Sequence, residues 1–303
     1  MLFGAVVVVV ALGVALARPE LLAQGLTSGL KAKERADVLG SGRDFGLKLA
    51  AGLGAVTAAI LGWGRFELSK EELNADRFGR AVDQLGSDKG ADVVLGGLYA
   101  LEALAKSTVD YQNQITEVLS AFVREHARSR EVEDPNAAGT FIRDLSVTEQ
   151  AALTILGRNG TWRGRIDLTG ANLKGARLSA ANLNHADLAG ADLTGAHLRL
   201  AGLTGADLTD AHLTDAHLTG ADLIWANLTD ADLTGANLKL ADLTDANLTN
   251  ANLTSANLTG AKLKLADLTD ADLTDALLAA ADLTGAHLKL ADLTDADLPA
   301  PNT

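Results

Sequence analysis

Residues 206–235 read ADLTD AHLTD AHLTG ADLIW ANLTD ADLTG, and this five-residue period decides the fold of nearly half the chain. The period extends in both directions. Every fifth residue from Leu168 to Leu298 is Leu, which gives 27 units without an insertion. Two residues before each leucine, from Ala171 to Ala296, the residue is always Ala. Self-similarity at one fixed period is typical of a solenoid.

A five-residue period fits neither an α-helix nor a flat strand. On a helix the leucines would spread over every side, because five residues turn the chain by about 140° beyond one full turn. On a strand, successive leucines would alternate between two faces. Ala and Leu lie two residues apart, so both can point inward on a short extended segment. If the other three residues bend the chain, repetition closes a coil around a leucine core. Ile166 takes the Ala place in the first unit.

The runs Ala206–Asp210 and Ala231–Gly235 resemble the repeats of bacterial pentapeptide-repeat proteins. The resemblance implies a mainly β fold, a right-handed quadrilateral β-helix with four units per coil and with Leu and Ala inside. The leucines at the centres of the units are the expected structural core. They include Leu168, Leu173, Leu193, Leu213, Leu233, Leu253, Leu273 and Leu293.

A small helical module is predicted before the repeat. Ser69-x-x-Glu72 and Ser146-x-x-Glu149 are capping boxes, and each opens a run of apolar residues at helical spacing. Two further runs lie between them, and Asp134-Pro135-Asn136 is predicted to turn the chain before the last helix. Residues 77–86, 95–102 and 118–124 are similar to the helical segment that precedes the repeat in membrane-anchored members of the same family.

Two uncharged runs, residues 2–17 and 49–64, predict a transmembrane hairpin. Each run is slightly shorter than the ~20 residues that span a bilayer, but flanking aromatic and basic side chains extend the second. Buried core helices are the alternative for both runs. The first could also be a signal peptide, since Ala15-Leu16-Ala17 fits the cleavage pattern, although no basic residue precedes it. The predicted domains are the hairpin (1–65), the helical module (66–160) and the repeat (161–303).

The orientation of the hairpin is left open by its charges. The basic loop between the two runs favours a cytoplasmic loop with both termini outside. The family resemblance instead implies a bacterial cell membrane protein whose repeat domain is cytoplasmic. We follow the resemblance.

Charge is divided as sharply as the repeat pattern. Residues 166–303 contain 19 Asp, no Glu and 7 Lys or Arg, so −12 of the formal net charge of −13 belongs to the repeat. A field of that sign repels phosphate backbones, and direct nucleic-acid binding is not expected. Cysteine is absent, which excludes disulfides and Cys-based zinc sites.

Catalysis is not expected of the repeat, because a coil filled by leucine has no cavity for a small-molecule substrate. We predict no catalytic, cofactor-binding or metal-binding residues and no cofactor. His197 and His217 lie 20 residues apart and should stack one coil above the other. Two ligands without a neighbouring carboxylate column make a surface pair more reasonable than a metal site.

Two functions remain open. The first is a non-enzymatic, membrane-anchored scaffold whose rigid acidic solenoid presents a surface to a protein partner. The second is a DNA-mimic regulator of an enzyme such as DNA gyrase, because quinolone-resistance members of the family imitate DNA with an acidic β-helix. Those relatives lack an anchor and dimerise through a carboxy-terminal element, whereas here five residues follow Leu298. The scaffold is therefore favoured.

One side of the predicted rod carries exposed apolar residues next to basic ones. With four units per coil, the candidate partner-binding residues fall on two neighbouring corners: Arg199, Leu200, Ile224, Trp225, Lys239, Leu240, Lys264 and Leu265. Duplication is the alternative explanation, because residues 240–264 and 265–289 match at 18 of 25 positions. A 25-residue copy would rotate these residues by one face of a 20-residue coil, and Leu290 indeed falls on the opposite, acidic side.

Overall fold

The computed structural model describes Trp63 and residues 68–128, 145–158, 162 and 164–298, together with the backbone of 131–133 and 140–142. The chain forms two compact units, Met1–Asp76 and Arg77–Thr303. Apart from Trp63, both runs of the expected transmembrane hairpin lie outside the described residues. Within the described part of the chain, no helix is both long enough and apolar enough to cross a bilayer.

The expected helices precede the repeat. Helix α1 covers residues 68–85 as far as it is described. It is followed by α2 (Ala91–Ser107), a 3-10 turn (Val109–Tyr111), α3 (Gln112–Arg128), β1 (Glu131–Glu133), β2 (Thr140–Ile142) and α4 (Val147–Arg158). Strands β1 and β2 pair antiparallel between α3 and α4. The turn predicted at Asp134-Pro135-Asn136 lies outside the described residues. The side chains of Leu101, Ile115, Leu119 and Leu153 form the buried centre of the module.

Helix α4 begins with the predicted capping box. The Glu149 amide donates to Ser146 Oγ at 3.2 Å, and the Ser146 amide donates to Glu149 Oε2 at 2.8 Å. Two backbone donors that have no intrahelical acceptor are thereby satisfied.

The repeat forms a coil of four units and 20 residues, as the resemblance implied. Parallel β-bridges join each residue that precedes Leu to the residue 20 positions later, from Asp167↔Asp187 to Leu277↔Asp297. The amide of Leu168 donates to the Asp187 carbonyl at 2.7 Å, and the Asp187 amide donates to the Ile166 carbonyl at 2.8 Å. The extended segments are therefore single bridges, stacked like rungs.

A tight turn closes every unit. The Ala171 amide donates to the Leu168 carbonyl at 3.0 Å, and Gly170, the third residue of that turn, has φ of 62°. Positive φ at the third residue alone is the pattern of a type II turn. All 26 residues at this position, from 170 to 295, have φ between 54° and 74°, and 17 of them are not glycine.

Leucine and alanine fill the coil. The inward leucines from Leu168 to Leu278 are at most 1% exposed. Leu293, expected in the core, is only partly buried, and Leu298 is 51% exposed. Both belong to the last described coil, where no further coil of the described chain stacks upon them.

The helices close the first coil at the opposite end. In later coils the backbone amide of the residue before each Leu donates to a carbonyl of the preceding coil. The first coil has no preceding coil of the repeat to accept these bonds. Here the Arg177 amide donates to Gln150 Oε1 at 3.0 Å, and the Asn182 amide donates to the Gly157 carbonyl at 2.6 Å. Arg124 on α3 also pairs with Asp167. Helices α3 and α4 therefore cap the leucine core.

Candidate functional site: two sides of the rod

The 20-residue coil assigns every outward residue to one of four faces. We call the two adjacent faces whose inward leucines are Leu168 and Leu173, and every twentieth residue after them, the acidic side. The other two adjacent faces, built on Leu178 and Leu183 and their successors, form the neutral side. Both sides share one backbone pattern and one core, so they differ only in outward side chains.

Nearly all the charge of the repeat lies on the acidic side. It carries Lys174 and Lys289 as its only bases against fourteen aspartates. These are Asp167, Asp187, Asp192, Asp207, Asp210, Asp215, Asp230, Asp232, Asp267, Asp270, Asp272, Asp275, Asp292 and Asp295. The neutral side has five Asp and five bases. The net charge of −12 is therefore confined to two adjacent faces.

Aspartates that precede Leu have a structural task that the sequence analysis missed. The amide and hydroxyl of Thr269 both donate to Asp267 Oδ1, at 3.0 and 2.6 Å. Asn247 accepts the same two bonds from Thr249, at 3.0 and 2.7 Å. This is an Asx-type turn, which explains why Asp or Asn stands two residues before Thr in so many units. The Asp-x-Thr spacing was the signal that could have revealed it.

These hydrogen bonds change the acidity of the carboxyls. The Thr269 hydroxyl, followed by the Thr269 amide, holds the pKa of Asp267 below its ordinary value. At Asp232, burial alone would raise the pKa, but the donors on Thr234 and Thr214 outweigh it and the pKa is lowered. Donors that favour the ionised form keep this side negatively charged.

The neutral side brings the eight candidate partner-binding residues together. Leu200 and Leu240 lie on one corner of the rod, two coils apart, and Trp225 and Leu265 lie on the next corner. All four occupy the left-handed turn position, with φ between 56° and 59°. They are 60%, 61%, 65% and 58% exposed, respectively. Lys264 forms an ion pair with Asp282 at 3.2 Å.

Glycines make room for the exposed leucines. A Cβ atom on Gly220 would lie 2.9 Å from Leu200 Cδ2, and one on Gly260 would lie 2.9 Å from Leu240 Cδ2. On the next corner Leu265 covers Gly285 in the same way, at 2.7 Å. Each leucine therefore leans along the rod over the next coil and still keeps more than half of its surface in water.

The predicted histidine stack is confirmed. The rings of His197 and His217 have centroids 4.9 Å apart and an interplanar angle of 27°. Both side chains are exposed on the neutral side. In the part of the chain that the structure describes, no three His, Asp or Glu residues are grouped to hold a metal ion.

A cleft of about 580 Å³ lies where the helices meet the first coils, lined among others by Trp162, Arg165 and His185. Arg165 donates to the His185 carbonyl at 3.3 Å and pairs with Asp187 at 3.2 Å. The guanidinium of Arg165, the strongest ligand-binding group of the cleft, is therefore already bonded to other residues of the chain.

Comparison with known proteins agrees with the coil. The family model of pentapeptide repeats matches residues 165–199, 200–235, 231–270 and 271–299, with eight copies. HetL, a pentapeptide repeat protein involved in heterocyst differentiation regulation in the cyanobacterium Nostoc sp. strain PCC 7120, is 35% identical. That match covers 45% of this chain and 78% of HetL, with a TM-score of 0.21.

Two further solved structures are similar. A second pentapeptide repeat protein from Nostoc PCC 7120 is 39% identical over 33% of this chain and 79% of its own, with a TM-score of 0.30. QnrB1, a plasmid-mediated fluoroquinolone resistance protein, is 19% identical over 44% of this chain and 80% of its own, also with a TM-score of 0.30. No curated protein matches the chain.

Proposed function

Because the chain belongs to the pentapeptide-repeat protein family, we propose that it acts as a scaffold, without catalysis, by presenting the acidic side of its rod to a basic protein partner. The observation that carries this proposal is the confinement of the net charge of −12 to two adjacent faces. The leucine-filled coil supports it, since the core offers a substrate no space. A rigid surface with one sign of charge steers and orients a partner of opposite charge.

Membrane anchoring is the second part of the proposal. Its support is the pair of uncharged runs at residues 2–17 and 49–64. In this arrangement the hairpin holds the chain in a bacterial cell membrane and the rod lies in the cytoplasm. Full-length chain should then pellet with membranes and resist high-salt and carbonate washes. Recovery in the supernatant without detergent would contradict the anchor and leave the acidic-side proposal intact.

Capture from native membranes tests the acidic side. The full chain is used as bait beside two matched variants, Asp210→Asn with Asp230→Asn, and Asp222→Asn with Asp245→Asn. Each variant removes two exposed charges, the first pair from the acidic side and the second from the neutral side. At positions 210, 230 and 245 Asn suits the left-handed turn as well as Asp does, and at position 222 Asn can accept the same bond from the Ile224 amide, so folding is preserved. We expect only the first variant to lose its partner, and equal capture by both variants would contradict the proposal.

DNA mimicry is a second candidate, favoured by the same segregation of charge. A one-sided array of carboxylates can occupy a surface that normally binds phosphates. The purified full chain, titrated into a DNA gyrase supercoiling assay, should inhibit at micromolar protein or below if it acts this way. Inhibition must weaken in the acidic-side variant and persist in the neutral-side variant. The absence of inhibition by the unmodified chain eliminates this candidate.

A further inference from the structure

The exposed leucines of the neutral side lie in a backbone conformation that does not suit them. Leu200, Leu240 and Leu265 have φ of 57°, 59° and 57°, in the left-handed region where Gly, Asn and Asp are the usual residues. They are also 58–61% exposed, so burial does little to offset the strain. Residues that are both strained and exposed point to a surface with a task outside the fold.

A base directly precedes each of these leucines in the sequence. The pairs are Arg199-Leu200, Lys239-Leu240 and Lys264-Leu265. A fourth pair, Lys289-Leu290, lies on the acidic side in the last described coil. Both members of a pair belong to the same outward turn, because the base is the second residue of the turn and Leu is the third. The corner next to Leu200 carries Trp225, the one aromatic residue of the repeat, and Ile224 precedes it. Leu and Trp flanked by Lys and Arg are the composition of segments that lie in the interface of an anionic bilayer.

The shape of this surface favours a fluid partner. The apolar side chains project from two convex corners, on turns, and they form separate tips rather than one groove. A second copy of the chain is disfavoured by its own net charge of −13. Lipid can close around isolated tips, whereas a protein partner needs a matching set of cavities.

The acidic side does not prevent such contact. Each face contains five residues, or up to about 16 Å of extended chain, while charges in water are screened over about 8 Å at physiological ionic strength. The neutral side itself has no net charge, because its five bases offset its five Asp, so it does not repel an anionic bilayer. Arg199, Lys239 and Lys264 are the bases that lie next to its apolar tips. The fourteen aspartates face away from the bilayer.

We propose that the neutral side of the rod rests on an anionic lipid surface, with Leu200, Trp225, Leu240 and Leu265 inserted among the headgroups and the neighbouring bases on lipid phosphates. This contact is independent of the hairpin, since it involves residues of the repeat alone. It leaves the acidic side free in solution.

The absence of cysteine allows a site-specific test on the full chain. Leu240→Cys and Asp230→Cys are each labelled with a polarity-sensitive fluorophore, one on each side of the rod. The labelled chains are mixed with vesicles of phosphatidylcholine, with or without phosphatidylglycerol. We expect quenching by aqueous iodide to fall several-fold at position 240 with the anionic vesicles and to stay unchanged at position 230. Equal quenching at the two positions on anionic vesicles overturns the proposal.

Charge variants complete the test. Arg199→Gln with Lys264→Gln should restore quenching at position 240, while Lys174→Gln with Lys289→Gln, which removes the two bases of the acidic side, should not. Protection at position 240 that needs no vesicles and grows with protein concentration identifies self-association instead, and also overturns the proposal. Flotation of the same samples separates the two membrane contacts. A chain that floats while position 240 remains open to iodide keeps the anchor and loses this inference.

Discussion

The acidic and neutral sides of the rod are built on the same backbone and differ in how well their outward residues suit it. At the third position of the turn, the acidic side carries mostly Gly, Asp, Asn and Ser, the residues that tolerate a left-handed conformation. The neutral side places Leu200, Trp225, Leu240 and Leu265 at the same position. Local conformational preference therefore accounts for the acidic side, with the exception of Leu290, but not for the leucines and tryptophan of the neutral side.

This difference changes how the surface is interpreted. An aspartate before Leu stabilises its own unit by accepting bonds from Thr two residues later, so its presence needs no partner. Asn accepts the same bonds as Asp, so the fold does not require Asp in these units. It does not explain why Asp is concentrated on two adjacent faces. The functional signal is the distribution of charge, together with the apolar residues that the turn disfavours.

The largest expected effect is common to both sides. Leu233 lies under the acidic side and Leu243 under the neutral side, and both are 0% exposed. Leu233→Ala and Leu243→Ala should each lower the free energy of unfolding by about 2–5 kcal/mol, because each leaves a cavity in the same core. Chemical denaturation measures both. Thr234→Ala is the outward control and should cost about 1 kcal/mol or less, through its 2.6 Å bond to Asp232. A clear difference between the two leucines would show that the sides do not share one core.

Exchanging the residues at the third position of the turn should change the free energy of unfolding by different amounts on the two sides. Gly235→Leu forces Leu into φ of 65°, with a Cβ 2.6 Å from Asp215 Oδ1 as it stands, and should lower the free energy of unfolding by about 1–2 kcal/mol or more. Leu240→Gly should change it by less than ~1 kcal/mol, because relief of strain offsets the flexibility of Gly in the unfolded chain. If Leu240→Gly is as damaging as Gly235→Leu, the neutral side is held by packing that its exposure does not reveal.

The Asx turns predict a smaller and chemically specific effect. Asp272 accepts the Thr274 amide and hydroxyl at 2.9 and 2.6 Å. Asp272→Ala should lower the free energy of unfolding by about 1 kcal/mol, whereas Asp272→Asn should leave it nearly unchanged. Asn252, one coil earlier in the same column, already makes both bonds to Thr254. Thermal denaturation of the two variants decides the point, and equal losses would show that charge rather than hydrogen bonding matters there.

Acid should weaken the rod, and mainly through the acidic side. Among the described residues, eight aspartates have a pKa below the ordinary 3.8, and six of them lie on that side: Asp167, Asp192, Asp232, Asp267, Asp272 and Asp292. Asp242 and Asp282 are the two on the neutral side. A carboxyl whose pKa is lowered by folding stabilises the rod above its unfolded pKa. That contribution is lost as the pH falls through the folded pKa, so the denaturation midpoint should drop below about pH 4. Asp→Asn at the six positions should flatten this dependence.

The period of the sequence was sufficient to predict the coil. Because Ala and Leu recur without an insertion from Ala171 to Leu298, only one inward set exists, and the 20-residue coil followed from the family resemblance. The four-unit coil in turn placed Leu200 and Leu240 on one corner and Trp225 and Leu265 on the next. The capping box at Ser146 was equally local, since its two hydrogen bonds join residues three apart.

Features that depend on contacts between distant segments could not be predicted. The cap formed by Gln150 and Gly157 on the first coil joins residues about 25 apart without any shared pattern. The strands β1 and β2 contain only three residues each, too few for alternation to show. The Asx turns are local and were missed for another reason, because the aspartates were considered only for their charge.

The central claim is that the two sides of the rod bind different partners: a protein binds the acidic side and lipid binds the neutral side. Photo-cross-linking from single cysteines tests it most directly, since the chain has no native cysteine. A cross-linker at Asp230→Cys and one at Leu240→Cys are activated in native membranes, and the products are separated into protein and lipid adducts. We predict protein adducts from position 230 and lipid adducts from position 240. Protein adducts from position 240 alone, or the same adducts from both positions, would contradict the claim.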